Sequence, residues 1–205
     1  PSLRTVKAEF IRVLDSVENL YVAVEPYCER THDGMVTNPL HPNQARRVVA
    51  LAFLGAVAGW EEYLESVFVR YLAGARDGRG HQATPRAGFA SDMSHAYDLI
   101  YGRPGFRPHS DYVTWTPGET RARAQLFFRG GAPFEQAILA WNHQLLDASV
   151  VRNRVAHSSG KARAAFKETA LRHLGLPPEG NLTQGYTPGD LLVVKAARGF
   201  PGFDP

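Results

Sequence analysis

Within six residues the chain sets Arg152, Asn153, Arg154 and His157, in a run from Val150 to Gly160 that reads VVRNRVAHSSG. Arginine carries a planar fork of donors that fits a phosphate and stays charged throughout. Histidine titrates near neutrality, so it can take a proton from a sugar hydroxyl or return one to a leaving oxygen. An asparagine holds either partner by hydrogen bonds without changing the charge. Such a set suits the handling of a phosphodiester, and cleavage of RNA without a metal. Helical residues turn by ~100°, which places Asn153 and His157 about 40° apart on one face. Arg154, three residues before His157, is also a neighbour. Arg152 stands about 140° round, so its long side chain, a distorted turn or a partner chain must bring it to the imidazole. The spacing therefore favours a composite site.

Blander explanations stand beside this one. Arginine and histidine are favoured at a helix end by the dipole alone. Asn142, His143 and Asp147 could cluster on one face, although a pair such as His143 and Asp147 more often closes a helix surface. Glu61 and Glu62 read first as a solvated face or as partners of Arg70. The histidines show no His-x3-His and no His-Glu-x-x-His pattern, which leaves a zinc hydrolase without a motif. Gly160-Lys161 lacks the upstream glycine of a phosphate-binding loop. Trp60 and Trp141 fall on apolar stripes and are expected in the core.

The elements that must position the motif are helices. Leu3, Val6, Phe10, Val13, Leu14, Val17, Leu20, Tyr21 and Val24 recur at three- and four-residue steps, which predicts an amphipathic helix from Ser2, its cap, to about Arg30. THDGMVTNPLHPN breaks it, so it ends near Thr31. A second helix runs from an Asn43 cap to about Ala73, with Val49, Phe53, Val57, Trp60, Leu64, Val67, Phe68 and Tyr71 inward. Gly74 to Phe89 has no apolar period and reads as a mobile loop. A short helix follows near Asp92 to Tyr101, then a second loop to about residue 118. Together these loops carry Arg79, Arg86, Arg103, Arg107, His81 and His109, and a basic patch that binds nucleic acid through them is a further possibility. Helices return at Pro117–Phe128 and at Pro133–Asp147, the latter with Phe134, Ile138, Trp141, Leu145 and Leu146 inward. The last covers Val150 or Gly160 to about His173 and stops at Gly175. Beyond it LLVV is a β-like run in an otherwise irregular tail. The expected organisation is one helical domain over 1–175 and an extended tail over 176–205.

The chain has 205 residues, enough for one hydrophobic core, and 44% are hydrophobic against 21% charged. Lysine and arginine total 23 against 20 acids, a formal charge of +3 that is compatible with an anionic partner. Cys28 is the sole cysteine, so no intramolecular disulfide and no cysteine-based zinc site can form. Neither a membrane span nor a signal peptide is readable, and the expected location is the cytoplasm.

Arg152-Asn153-Arg154-Val155-Ala156-His157 resembles the Arg-x4-6-His signature of the HEPN superfamily, in its Arg-Asn-x-x-Ala-His form. The surroundings look like the RiboL-PSP-type branch: a long opening helix, a second carrying GWEEYLE, and a helix leading into VVRNRVAHSS. The resemblance covers roughly residues 2 to 174 and leaves out the two loops and the tail. It implies an all-α antiparallel bundle that forms a homodimer with two motifs facing one cleft. It further implies a metal-independent endoribonuclease, needing no cofactor, that acts as a toxin or in anti-phage defence beside an antitoxin or defence-system partner. Arg152 and His157 would carry catalysis with Asn153 in support, and Arg154, Glu62 or Glu61, and Ser158 would contact the RNA. Other members of the superfamily only bind nucleotides or partner proteins.

Overall fold

A computed structural model describes residues 2–28, 40–102, 104, 105, 107 and 113–197. Among these the chain is all-α: α1 (Leu3–Val24), α2 (Pro42–Leu72), α3 (Met93–Tyr101), α4 (Pro117–Phe127), α5 (Phe134–Ala140), α6 (Asn142–Ala156), α7 (Gly160–Leu174) and α8 (Pro188–Ala197). No helix of the described residues is long and apolar enough to cross a membrane. Contacts divide the chain into two compact units, one from the residues up to Arg12 with Ala58–Leu146, the other from Val13–Val57 with the residues from Asp147 on.

In the first unit, Leu64, Phe68 and Leu72 repeat at helical spacing along α2 and bury against Leu3 and Val6 of α1. Phe68 is fully buried. Its ring meets Trp115, Phe128 and Phe134 with centroids 5.2, 5.0 and 4.9 Å away. Such tilted and edge-on pairs contribute roughly 0.5–1.5 kcal/mol each beyond their burial. The core takes in one polar device. Glu65 accepts a 2.7 Å hydrogen bond from Trp115 Nε1–H, while the guanidinium of Arg123 sits 4.9 Å above the Trp115 ring and donates to the Thr114 carbonyl. Burial, then the charge of Glu65 and a hydrogen bond with it, push the Tyr97 hydroxyl up to about 12.

The segment from Gly74 to Phe89 carries more internal structure than its composition suggests. Asp77 accepts from the Arg79 and His81 amides at 2.8 Å each, closing the turn, and Arg76 bridges to Gln82. Ala83 and Ala90 are buried. Pro85 bridges to Phe128 as the non-hydrogen-bonded member of an antiparallel pair: Arg86 N–H donates to the Phe127 carbonyl and Arg129 N–H to the Thr84 carbonyl, both at 2.9 Å. A proline has no amide to lose at that position. Of the residues expected to supply charge from the next loop, Arg103 and His109 lie outside the described residues.

In the second unit Val24, Cys28, Ala45, Val49, Val151, Phe166, Ala170, Leu191 and Leu192 form the core. The LLVV run, read as β-like in an extended tail, is corrected: it lies in α8. Thr187 and Asp190 form a reciprocal cap, with the Thr187 amide donating to Asp190 Oδ2 at 2.8 Å and the Asp190 amide to Thr187 Oγ1 at 3.4 Å. Pro188 fits the first turn, so the reciprocal cap and the proline outweigh the strand preference of two valines. Asp190 also accepts from Arg46 of α2 at 2.8 Å.

Several boundaries and faces differ from expectation. Ser2 caps α1 as predicted, its Oγ accepting from the Thr5 amide. The helix, however, stops at Val24 and passes into a 3-10 turn over Glu25–Tyr27; Thr31 lies outside the described residues. Val13, Leu14 and Leu20 are exposed, because they flank the stripe centred on Val6, Phe10, Val17, Tyr21 and Val24. The cap of α2 is His41, whose Nδ1 accepts from the Asn43 amide at 3.2 Å while its own amide donates to Gln44 Oε1. Trp141 is 43% exposed and outside the core. It caps α5 with φ −117° and ψ 19°, so the helical phase aligning it with Phe134 and Ile138 ends there, and Leu146 is exposed with it.

Two glycines test this packing. A Cβ at Gly189 would lie 2.1 Å from the Arg46 carbonyl oxygen, whereas one at Gly55, inside α2, meets nothing within 4 Å. Gly189→Ala is expected to destabilise by about 1–3 kcal/mol through forced displacement of α8. Gly55→Ala is expected to stabilise by roughly 0.5–1 kcal/mol. Urea midpoints that move in the same direction for both would contradict this seating of α8.

Candidate functional site

The motif occupies the last turns of α6, which ends at Ala156 and not near Asp147. His157 stands just beyond it and closes the final turn, its amide donating to the Asn153 carbonyl at 2.9 Å. Its imidazole side is exposed. Arg154 Nη1 reaches the His157 carbonyl at 3.4 Å, a cation on the carbonyl end of the helix where the dipole favours it. Arg152 is half-buried and its Nη1 donates to Asn153 Oδ1 at 3.2 Å. Thus Arg152, Asn153, Arg154 and His157 are gathered at one helix end. In this arrangement the His157 amide bonds the Asn153 carbonyl, and the Arg154 guanidinium reaches the His157 carbonyl.

Three residues, 157–159, turn the chain from α6 into α7. Ser158 is exposed, while Ser159 Oγ caps α7 by accepting from the Ala162 amide at 3.2 Å. α7 closes on Gly175 in the left-handed region (φ 70°), with the Gly175 amide donating to Arg172 and the Leu176 amide to Leu171. Glu62, exposed, and Glu61, half-buried, are on α2 in the unit that does not hold the motif.

What sets the direction of α6 against α7 is Asp147. Arg172 grips its carboxylate with both terminal nitrogens, at 2.7 and 2.9 Å, and His173 Nε2 lies 2.7 Å from Oδ2. The expected pairing of Asp147 with His143 is therefore replaced by partners 25 and 26 residues along the chain, and His143 points to an exposed surface. One turn on from Asp147, Val151 buries beside Phe166 and Ala170. Helix spacing could place His143 beside Asp147, but no local pattern announces a contact with α7. Among the described residues no three His, Cys, Asp or Glu side chains gather as a metal site.

Burial alone would raise the Asp147 carboxyl; the Arg172 fork and the charges of Arg172 and His173 outweigh it and hold the group below its ordinary value. A depressed carboxyl contributes stability that is present above its unfolded value near 3.9 and lost as pH falls through the folded value. Asp147→Asn is thus expected to cost about 1 kcal/mol at neutral pH, since the Arg172 side chain is 55% exposed. The gap from wild type should narrow below about pH 4, as read by denaturant midpoints; a gap that does not change with pH would remove the charge from this account. Compared with protein-family models, curated proteins and solved structures, the chain gives no match.

Proposed function

We propose that the chain is a HEPN-like, metal-independent endoribonuclease. The observation that carries this reading is the gathering of Arg152, Asn153 and an exposed His157 at the end of α6, the residue types that a phosphodiester transfer requires. His157 takes the proton from a ribose 2'-hydroxyl, and the 2'-oxygen attacks phosphorus. The 5'-oxygen leaves with a proton returned to it, giving a 2',3'-cyclic phosphate and a 5'-hydroxyl. Arg152 holds the non-bridging oxygens as charge grows on them, and Asn153 orients the guanidinium that it already accepts from. Arg154 and Ser158 line the same end, and Glu62 or Glu61 is the acidic residue suggested by the resemblance. The proposal includes a homodimer that sets two motifs together, a cytoplasmic setting, and a role as a toxin or anti-phage effector answered by an antitoxin or defence-system partner.

A second reading, a non-catalytic nucleotide- or partner-binding module, draws on the direct contact of Arg152 with Asn153. Purified protein incubated with total RNA and tRNA in EDTA separates the two. Cleavage that leaves cyclic phosphate ends is expected. His157→Ala should lower the rate by about 10²–10⁴-fold, and Arg152→Lys by roughly 10²-fold because the planar fork is lost. His157→Ala should keep thermal stability within about 0.5 kcal/mol, as surface substitutions do. Cleavage that vanishes in EDTA and returns with Mg²⁺ would sink the mechanism; nucleotide binding with intact RNA would select the module.

A further inference from the structure

In the first unit two isolated antiparallel bridges, Arg76 with Gln82 and Pro85 with Phe128, tie the ribbon segment that follows α2 to itself and to the residue after α4. Ala83 and Pro85 are buried, Gln82 is half-buried, and Thr84 and Arg86 are exposed. Arg76 pairs with Gln82, and Arg129, by its bond to the Thr84 carbonyl, stands opposite Thr84. Arg76, Arg86 and Arg129 are all exposed, and the bridges bring their backbones to the stretch from 82 to 86. Arg79 and His81 stand at the exposed turn beside it. The amides of Arg86 and Arg129 flank the Pro85–Phe128 bridge, donating to the Phe127 and Thr84 carbonyls.

The acids nearby are spoken for. Asp77 spends its carboxylate on the Arg79 and His81 amides, and Glu135 is bound by Arg121 at 2.9 Å and by Gln125. At the edge of the same ribbon Phe89 leaves 48% of its surface exposed. Its ring and the Gln82 amide both lie 3.5 Å from the point where a Cβ at Gly74 would stand. An exposed phenylalanine among arginines supplies a flat face, while the guanidinium groups supply phosphate donors.

We propose that this ribbon is a docking surface for single-stranded RNA, with Arg76, Arg79, Arg86 and Arg129 tracking the phosphates and Phe89 stacking an unpaired base. It rests on the ribonuclease reading only in taking RNA as the ligand. A paired base has no free face to stack on Phe89, so single strands are preferred over duplex. The surface needs no particular base, since every base has a π-face.

The test uses the His157→Ala chain to keep the RNA intact, with a fluorescein-labelled 20-nucleotide oligouridylate followed by anisotropy from about 50 to 200 mM KCl. Arg79→Gln/Arg129→Gln is expected to weaken binding tenfold or more at the lower salt. It should also reduce the slope of log affinity against log salt by about 1.4, two contacts at ~0.7 each. Phe89→Ala should weaken binding roughly tenfold with the slope unchanged, and Phe89→Trp should keep it. Arg4→Gln/Lys7→Gln, the same loss of charge on exposed positions of α1, should leave affinity within about twofold. Equal effects of the two double substitutions, no effect of Phe89→Ala, duplex bound as tightly as the single strand, or association with phosphatidylserine vesicles in place of RNA would each overturn the proposal. Wild type that cleaves nothing while these variants lose binding would remove the ribonuclease reading and keep the ribbon. Wild type that cleaves while the variants bind like their parent would do the reverse.

Discussion

The α6–α7 hairpin closes at both ends, and the motif exists as a cluster because it does. At the open end Asp147 takes the Arg172 fork and the His173 ring; at the turn, three residues and the Ser159 cap reverse the chain. Between them Val151 buries against the Phe166 and Ala170 face. The energies rank in a definite order. Burial of an aliphatic or aromatic side chain contributes about 1.5–3 kcal/mol, and the partly exposed ion pair about 1 kcal/mol or less. Packing therefore holds the helices together while Asp147 fixes their register, since a bidentate grip tolerates little sliding. Arg152, next to Val151 in sequence, is placed at the edge of that packed stripe, and Asn153 and His157 face outward.

The first unit is organised by a different constraint. A fully buried Phe68 on α2 needs partners on every side, and it draws them from α4, the residue after it, α5 and the segment before α4. That demand explains why a stretch rich in glycine and arginine lies folded. Phe128 must reach Phe68, and the backbones of its neighbours Phe127 and Arg129 then bond to Arg86 and Thr84. The charged side chains of the ribbon face outward because the apolar residues between them are taken inward. A surface suited to an anion is thus a consequence of core packing, with no separate scaffold required.

Sequence periodicity made the helices legible and left their interruptions obscure. α2 and its inward Val49, Leu64, Val67, Phe68 and Tyr71 follow from a repeat that persists for 31 residues. Trp141 defeated the same logic, because one non-helical residue resets the phase and a wheel drawn across it puts a tryptophan in the wrong place. LLVV was read by residue preference, yet its conformation was decided by the cap before it and by the close approach of Gly189 to Arg46. The motif itself is readable, since all its members lie within six consecutive residues at one helix end. Asp147 is not, because its partners are distant in sequence and no spacing rule connects an aspartate to an arginine on another helix.

The exposure of the motif separates chemistry from folding. Asn153, His157 and Ser158 contribute little buried area, so their replacement leaves the core of the second unit untouched. Arg152 differs, being half-buried beside Val151, and a substitution there changes packing as well as charge. Arg152→Lys keeps most of the stem and removes the fork, which isolates the recognition of phosphate from the support of the helix. The same distinction holds in the first unit. Arg86, whose Nε also donates to the Phe128 carbonyl at 3.3 Å, has a part in the ribbon's own geometry. Arg79 and Arg129 do not carry that bond, and their charge is the cleaner measure of what the surface attracts.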